Sequence, residues 1–159
     1  MSSAQTEKPR FLADKMLGRL AKWLRILGYD TKYAFDLSDS DLLELAESEN
    51  RILLTRDTLL TQRKKCRNYV FITSDHWREQ LKQVYNEARL NKESLLTICP
   101  VCNTSLNPVD KQSVEPSVPP YVYRTQEQFY RCGGCSRIFW PATHVSRILD
   151  EIDKLKETP

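Results

Sequence analysis

Four short apolar runs, each followed within a few residues by an aspartate, constrain this chain more than any other feature. The runs are Phe11-Leu12-Ala13, Tyr29 to Phe35, Ile52-Leu53-Leu54-Thr55 and Tyr69-Val70-Phe71-Ile72, and the acids are Asp14, Asp36, Asp57 and Asp75. Amphipathic stretches separate them, the pattern of β-α units around a mostly parallel sheet. After the first run Leu17, Leu20, Leu24 and Leu27 recur on one helical face, and Gly28 supplies a C-terminal cap. Further helices are predicted over Ser40 to Ser48, Thr58 to Cys66, and from Trp77 through Tyr85 to near Leu90.

In a parallel sheet every carboxyl end lies on one edge, where open α/β folds bind ligands. The aspartates are therefore expected to converge, joined by Asp39 and Asp41 in Ser38-Asp39-Ser40-Asp41. Aspartate is equally a favoured N-cap, and Ser38 with Asp41 matches capping-box spacing. Clustered carboxylates, however, repel unless a cation neutralises them or their pKa values rise. Hard oxygen ligands of this kind suit Mg²⁺ or Mn²⁺, which can polarise a phosphodiester and activate water. An aspartyl-phosphate mechanism is disfavoured, because Lys15 and Met16 follow Asp14 where such enzymes want an acid pair.

Charge is distributed in blocks although the net value is only +3. Residues 8 to 25 carry six basic side chains and the single acid Asp14; residues 51 to 67 carry six more and the single acid Asp57. Between them, residues 36 to 49 hold six acids and no base. Such blocks are usually solvated faces. Next to the aspartates, however, Lys15, Arg19, Lys22 and Arg56 are candidates for phosphate contacts, and the combination describes a metal-dependent nuclease.

Composition excludes several other classes. Four glycines, at 18, 28, 133 and 134, cannot build a G-x-G-x-x-G turn, a Walker loop or a G-x-S-x-G elbow. With histidine only at His76 and His144, H-E-x-x-H is impossible. Neither histidine, nor Trp23, Trp77 or Trp140, calls for more than a structural role. The first ten residues are polar and no apolar run is long, so neither a secretory signal nor a membrane span is expected.

Four of the five cysteines form two C-x-x-C pairs, Cys99/Cys102 and Cys132/Cys135, while Cys66 stands alone. This suits metal ligation in a reducing compartment better than disulfides, and places the protein in the cytoplasm. Two knuckles offering four thiolates and no open position predict structural zinc, with iron as the alternative. The 29 residues between the pairs exceed the usual spacing of about 15 to 20, so an extended hairpin is expected there, with Tyr121-Val122-Tyr123 in a β segment. The chain thus divides into an α/β domain over residues 8–93, a small β-rich zinc ribbon over 97–144, and a C-terminal helix over 145–157.

The stretch from Phe11-Leu12-Ala13-Asp14-Lys15-Met16-Leu17-Gly18-Arg19 to Gly28-Tyr29-Asp30, then Arg51-Ile52-Leu53-Leu54-Thr55-Arg56-Asp57, then Glu79-Gln80-Leu81, closely resembles the Mut7-C family of PIN-like ribonuclease domains. Cys132-x-x-Cys135 with Phe139-Trp140 and Thr143-His144 resembles that family's zinc ribbon. The resemblance implies a PIN-like three-layer α/β/α fold with a mostly parallel sheet, and metal-dependent RNA hydrolysis at a cluster of acids. It carries the first acid to Asp14 and the last to Asp57, and leaves the middle one open between Asp39 and Asp41. The competing expectation is a non-catalytic RNA-binding adaptor in which the acids are only caps.

Overall fold

The structure, a computed structural model, describes residues 7–156. Four strands, β1 (Phe11–Ala13), β2 (Thr31–Tyr33), β3 (Ile52–Thr55) and β4 (Tyr69–Phe71), form an all-parallel sheet in the order β2-β1-β3-β4. Ala13 pairs with both Tyr33 and Leu54, and Thr55 pairs with Phe71, so the carboxyl ends are level. Helices α1 (Gly18–Ile26), α2 (Asp39–Ser48), α3 (Thr58–Thr61) and α4 (Trp77–Glu87) connect or follow the strands.

Alternation along the strands assigns the two faces. Phe11, Ala13 and Leu54 pack with Leu20 and Leu24 of α1 and with Leu81, Val84 and Tyr85 of α4. Leu12 and Leu53 face the other way, onto Leu42, Leu43 and Ala46 of α2 and Leu60 of α3. This is the expected three-layer α/β/α arrangement. Trp23 and Trp77 stack between α1 and α4 at 5.2 Å, as packing residues. Gly28 has φ +94°, and a Cβ there would meet the Ser94 carbonyl oxygen at 2.1 Å, so the helix-ending turn admits only glycine.

The remaining strands, β5 (Leu106–Val109), β6 (Phe129–Cys132) and β7 (Ile138–Phe139), form a small antiparallel sheet. Here the expected extended hairpin is corrected. Two short helices, α5 (Lys111–Val114) and α6 (Pro120–Thr125), lie between β5 and β6, and Tyr121, Val122 and Tyr123 are helical. Pro120 occupies the first turn of α6, where its fixed φ and missing N–H start a helix despite the β-prone residues behind it. Val122, Tyr123 and Trp140 pack on Val114, Val118 and Phe129 as a satellite core.

Helix α7 (Thr143–Lys156) begins two residues earlier than expected, and residue 157 lies outside the described residues. Val145, Ile148, Leu149 and Ile152 bury against the α1/α4 layer, and Asp153 accepts a hydrogen bond from the Tyr85 hydroxyl at 2.6 Å. The third helix is shorter than expected and ends at Thr61, because Arg63, Lys64 and Lys65 offer no apolar side chain between Leu60 and Cys66. Among the described residues no helix is long and apolar enough to cross a membrane; residues 1–6, on which part of the signal-peptide reading rested, lie outside them.

Candidate active site and cysteine centre

The connection from β1 runs through α1 to β2 on one side, whereas the next runs through α2 to β3 on the other side of β1. The sheet's topological switch point therefore lies between β1 and β3, at the crevice where such folds hold ligands. Asp14 directly follows β1 and Asp57 follows β3 by two residues. Both line one cleft of about 440 Å³, together with Asp36, Asp39, Lys15 and Phe35. Asp41 is not among the lining residues. Asp75 is exposed and does not cap α4, whose N-cap is His76.

Asp14 is buried, only 8% exposed. Its Oδ1 accepts from the Met16 N–H at 3.1 Å, and its Oδ2 accepts from the Thr55 hydroxyl at 2.6 Å. Thr55 is fully buried, and its Oγ1 in turn accepts from the Asp57 N–H at 3.0 Å. One hydroxyl thus ties the loop after β1 to the loop after β3. Asp57 Oδ1 caps α3, accepting from Leu59 N–H at 2.9 Å and Leu60 N–H at 3.2 Å, while Oδ2 takes no protein hydrogen bond among the described residues. The Thr55 bridge is a contact that the sequence reading passed over, although a hydroxyl two residues before an aspartate is a known turn signal.

Other candidates are partly dispersed. Asp39 lies on the cleft wall but pairs with Arg63 at 3.7 Å. Of the four cations, only Lys15 lines the cleft. The Arg19 guanidinium sits over the Trp77 ring at 5.2 Å, Lys22 is exposed on α1, and Arg56 donates to the Ile72 carbonyl at 3.4 Å. Two members of the basic blocks are structural rather than solvated. Arg51 is 4% exposed and pairs with Asp30 at 2.9 Å and Glu49 at 2.7 Å. Arg25 turns to the first cysteine knuckle, donating to the carbonyls of Pro100 at 3.0 Å and Val101 at 3.3 Å.

The cysteine centre is compact. The Sγ atoms of Cys99, Cys102, Cys132 and Cys135 all lie within 4.8 Å of one another, and this is the one group of metal-ligating side chains drawn to such spacing among the described residues. The two knuckles repeat one geometry. Asn103 N–H donates to the Cys99 carbonyl at 2.9 Å, and Ser136 N–H donates to the Cys132 carbonyl at 3.0 Å. Both residues have positive φ, 63° and 64°. The amides of Val101 and Gly134 point at Cys99 and Cys132 sulfur at 3.4 and 3.2 Å. Thr104, missed in the sequence, places its hydroxyl 3.0 Å from both Cys102 and Cys132 sulfur.

This donor set fits zinc: four thiolates, amide and hydroxyl donors around them, and no open position. Burial pushes the Cys99 thiol up, whereas Thr104 and nearby amides hold Cys132 down against burial. The centre is also anchored to the parallel sheet. Asn103 Nδ2 donates to Asp30 Oδ1 at 2.7 Å, and Asn103 Oδ1 accepts from Thr31 N–H at 3.0 Å. Cys66, by contrast, is a buried thiol beneath α2, raised by desolvation, and His76 and His144 are exposed.

With this geometry in place, comparison with known families is decisive: a family model described as the Mut7-C RNAse domain matches residues 9–152. The chain belongs to the Mut7-C RNAse domain family. The match spans both the aspartate cleft and the cysteine centre, which are therefore parts of one Mut7-C unit. Neither the curated proteins nor the solved structures contain a match to the chain. Membership of a Mut7-C RNAse family points to a ribonuclease-like function with RNA as its substrate.

Proposed function

We propose that the protein is a metal-dependent ribonuclease that hydrolyses RNA phosphodiesters at the aspartate cleft. The observation that carries this reading is the placement of Asp14 and Asp57 across the β1/β3 switch point, locked together through Thr55, in a chain of an RNase family. Carboxylate oxygens are the right donors for Mg²⁺ or Mn²⁺, and the free Oδ2 of Asp57 is the most available of them. Asp14 and Asp57 would hold the ion, with Asp39 as the middle acid. Asp39 is preferred to Asp41 because it shares the cleft. When bound, such an ion supplies Lewis acidity toward the phosphodiester and its attacking water.

The protein's own residues contribute placement. Thr55 fixes the Asp14 carboxylate and the Asp57 backbone, so little reorientation is left to the reaction. Lys15, on the cleft wall, meets the phosphate directly. Arg19, Lys22 and Arg56 steer and retain the backbone at longer range. In this reading residues 8–93 carry the chemistry, residues 97–144 carry structural zinc on the four cysteines, and the C-terminal helix, through Val145, Ile148, Leu149 and Ile152, braces the two.

A second reading, a non-catalytic RNA-binding adaptor, draws on a specific observation: Asp14 and Asp57 both satisfy helix-start N–H groups. Incubating the protein with labelled RNA in manganese, beside Asp57→Asn, decides between them. The ribonuclease reading predicts cleavage by wild type that EDTA and the substitution abolish. The adaptor reading predicts retention of RNA without cleavage.

A further inference from the structure

Across the sheet from the aspartates, a pocket of about 150 Å³ opens where β3 and β4 begin, beneath the end of α2. Leu43, Ala46, Leu53 and Cys66 form its apolar wall, and Asn50, Arg51, Lys65, Arg67 and Asn68 surround it. It is small against the roughly 300 to 1,000 Å³ of sites for larger organic ligands, so it suits a compact polar group. Arg51 is fixed there from behind. Its Nε donates to Glu49 at 2.7 Å, and its Nη1 donates to the Phe11 carbonyl at 3.0 Å and to Asp30 at 2.9 Å. Nη2 makes no hydrogen bond among the described residues, and none of their buried side-chain nitrogens lacks a partner, so Nη2 opens to the pocket that Arg51 lines. The side chains of Asn50, Lys65, Arg67 and Asn68 likewise have no hydrogen-bond or ion-pair partner among the described residues.

We propose that this pocket binds a phosphate group, with Arg51 Nη2 and the Asn50 and Asn68 amides as donors and Lys65 and Arg67 closing over it. The charge balance favours an anion. Arg51 and Lys32 are offset by Asp30 and Glu49, a neutral group, and Lys65 and Arg67 then outweigh Glu47, the one acid on the pocket wall. The carbonyls of Leu45, Ala46 and Glu47 that end α2 here are taken by the amides of Glu49, Arg51 and Asn50. A guanidinium already held in place meets phosphate oxygens without the ordering cost of a free surface arginine. Two sources carry this chemistry, the free ion and the terminal phosphate of an RNA. The pocket shares Leu43 and Lys65 with a groove of about 310 Å³ that adds Arg63, Lys64 and the single acid Glu44. Arg63 pairs at 3.7 Å with Asp39, on the wall of the aspartate cleft, so basic side chains run from cleft to pocket along α2. Only the RNA source rests on the ribonuclease reading.

Calorimetric titration of the whole chain with inorganic phosphate, in EDTA, tests this. Wild type is expected to bind phosphate saturably with a dissociation constant below about 1 mM. Lys65→Ala combined with Arg67→Ala removes two exposed cations that have no protein partner, so the double variant should keep the wild-type melting temperature in phosphate-free buffer yet lose at least about tenfold in phosphate affinity. Asn68→Asp, which sets a carboxylate against the ligand, should lose at least as much. Absence of saturable phosphate binding by wild type, or equal affinity in wild type and both variants, overturns the inference. A ten-nucleotide RNA ending in 5′-phosphate, in 3′-phosphate or in hydroxyls alone separates the sources. Tighter binding of a phosphorylated form, competed by inorganic phosphate and lost in the double variant, assigns the RNA end, whereas equal binding of all three beside saturable phosphate binding assigns the free ion. Asp57→Asn alters the aspartate cleft alone and should bind phosphate as wild type does, so absence of cleavage in manganese would reject the ribonuclease reading and leave this site standing, while weakened phosphate binding in Asp57→Asn would place the ion in the cleft and overturn the inference.

Discussion

Thr55 is where the residue-level account is most exposed to test. Its hydroxyl donates to Asp14 Oδ2 and accepts from the Asp57 N–H, with the whole side chain buried. Thr55→Val keeps the shape and removes both bonds, leaving an acceptor and a donor unsatisfied. Stability should fall by about 1 to 3 kcal/mol, read by urea denaturation, and cleavage should fall further than stability accounts for. Wild-type stability and turnover would show that Asp14 and Asp57 position themselves. The placement of Asp14 and Asp57 after β1 and β3 was legible in the sequence because each directly follows or nearly follows a β-prone run. Thr55 was harder to single out, since a threonine closing a β-prone run reads as strand. Arg51 and Arg25 were read with the charged blocks, yet Asp30 and the knuckle carbonyls claim them through contacts far apart in sequence.

At the scale of elements, the cysteine centre is not an independent appendage. Cys99, Leu106 and Cys132 belong to the same core as α1, α4 and α7, and Asn103 fastens the first knuckle to Asp30 and Thr31. Elemental analysis should find one zinc per chain. Stripping it should lower the melting temperature of the whole chain by at least about 10 °C in a single transition, since each kcal/mol is worth about 2 to 4 °C at this size and structural zinc contributes several. A metal-free preparation that melts like the wild type would reject a structural role. The knuckles were legible because ligand spacing is a local property. The segment between them was not, because Tyr121-Val122-Tyr123 favours a strand by propensity while Pro119 and Pro120 set the backbone for a helix. Likewise, capping preference pointed to Asp75, but α4 starts one residue later, after His76, whose N–H is taken by Ser74 Oγ.

For the whole molecule, a parallel sheet follows from β-α alternation, whereas the order β2-β1-β3-β4, and with it the switch point between β1 and β3, emerges only in the structure. The central claim is that the aspartates at this point bind a metal as well as cap helices. Thermal melts of wild type and Asp57→Asn, each in EDTA and in manganese, test it directly. Asparagine keeps an oxygen for the Leu59 and Leu60 amides, so capping survives the change. Asp14→Asn is less clean, because Asp14 Oδ2 must accept from Thr55. The account predicts a crossover. In EDTA the mutant, relieved of a carboxylate near Asp14, melts at the wild-type temperature or higher. In manganese at a hundredfold excess over the dissociation constant, wild type gains about 2.7 kcal/mol and the mutant loses most of that gain. Parallel behaviour of the two proteins in both buffers would contradict it and return Asp57 to the role of a helix cap.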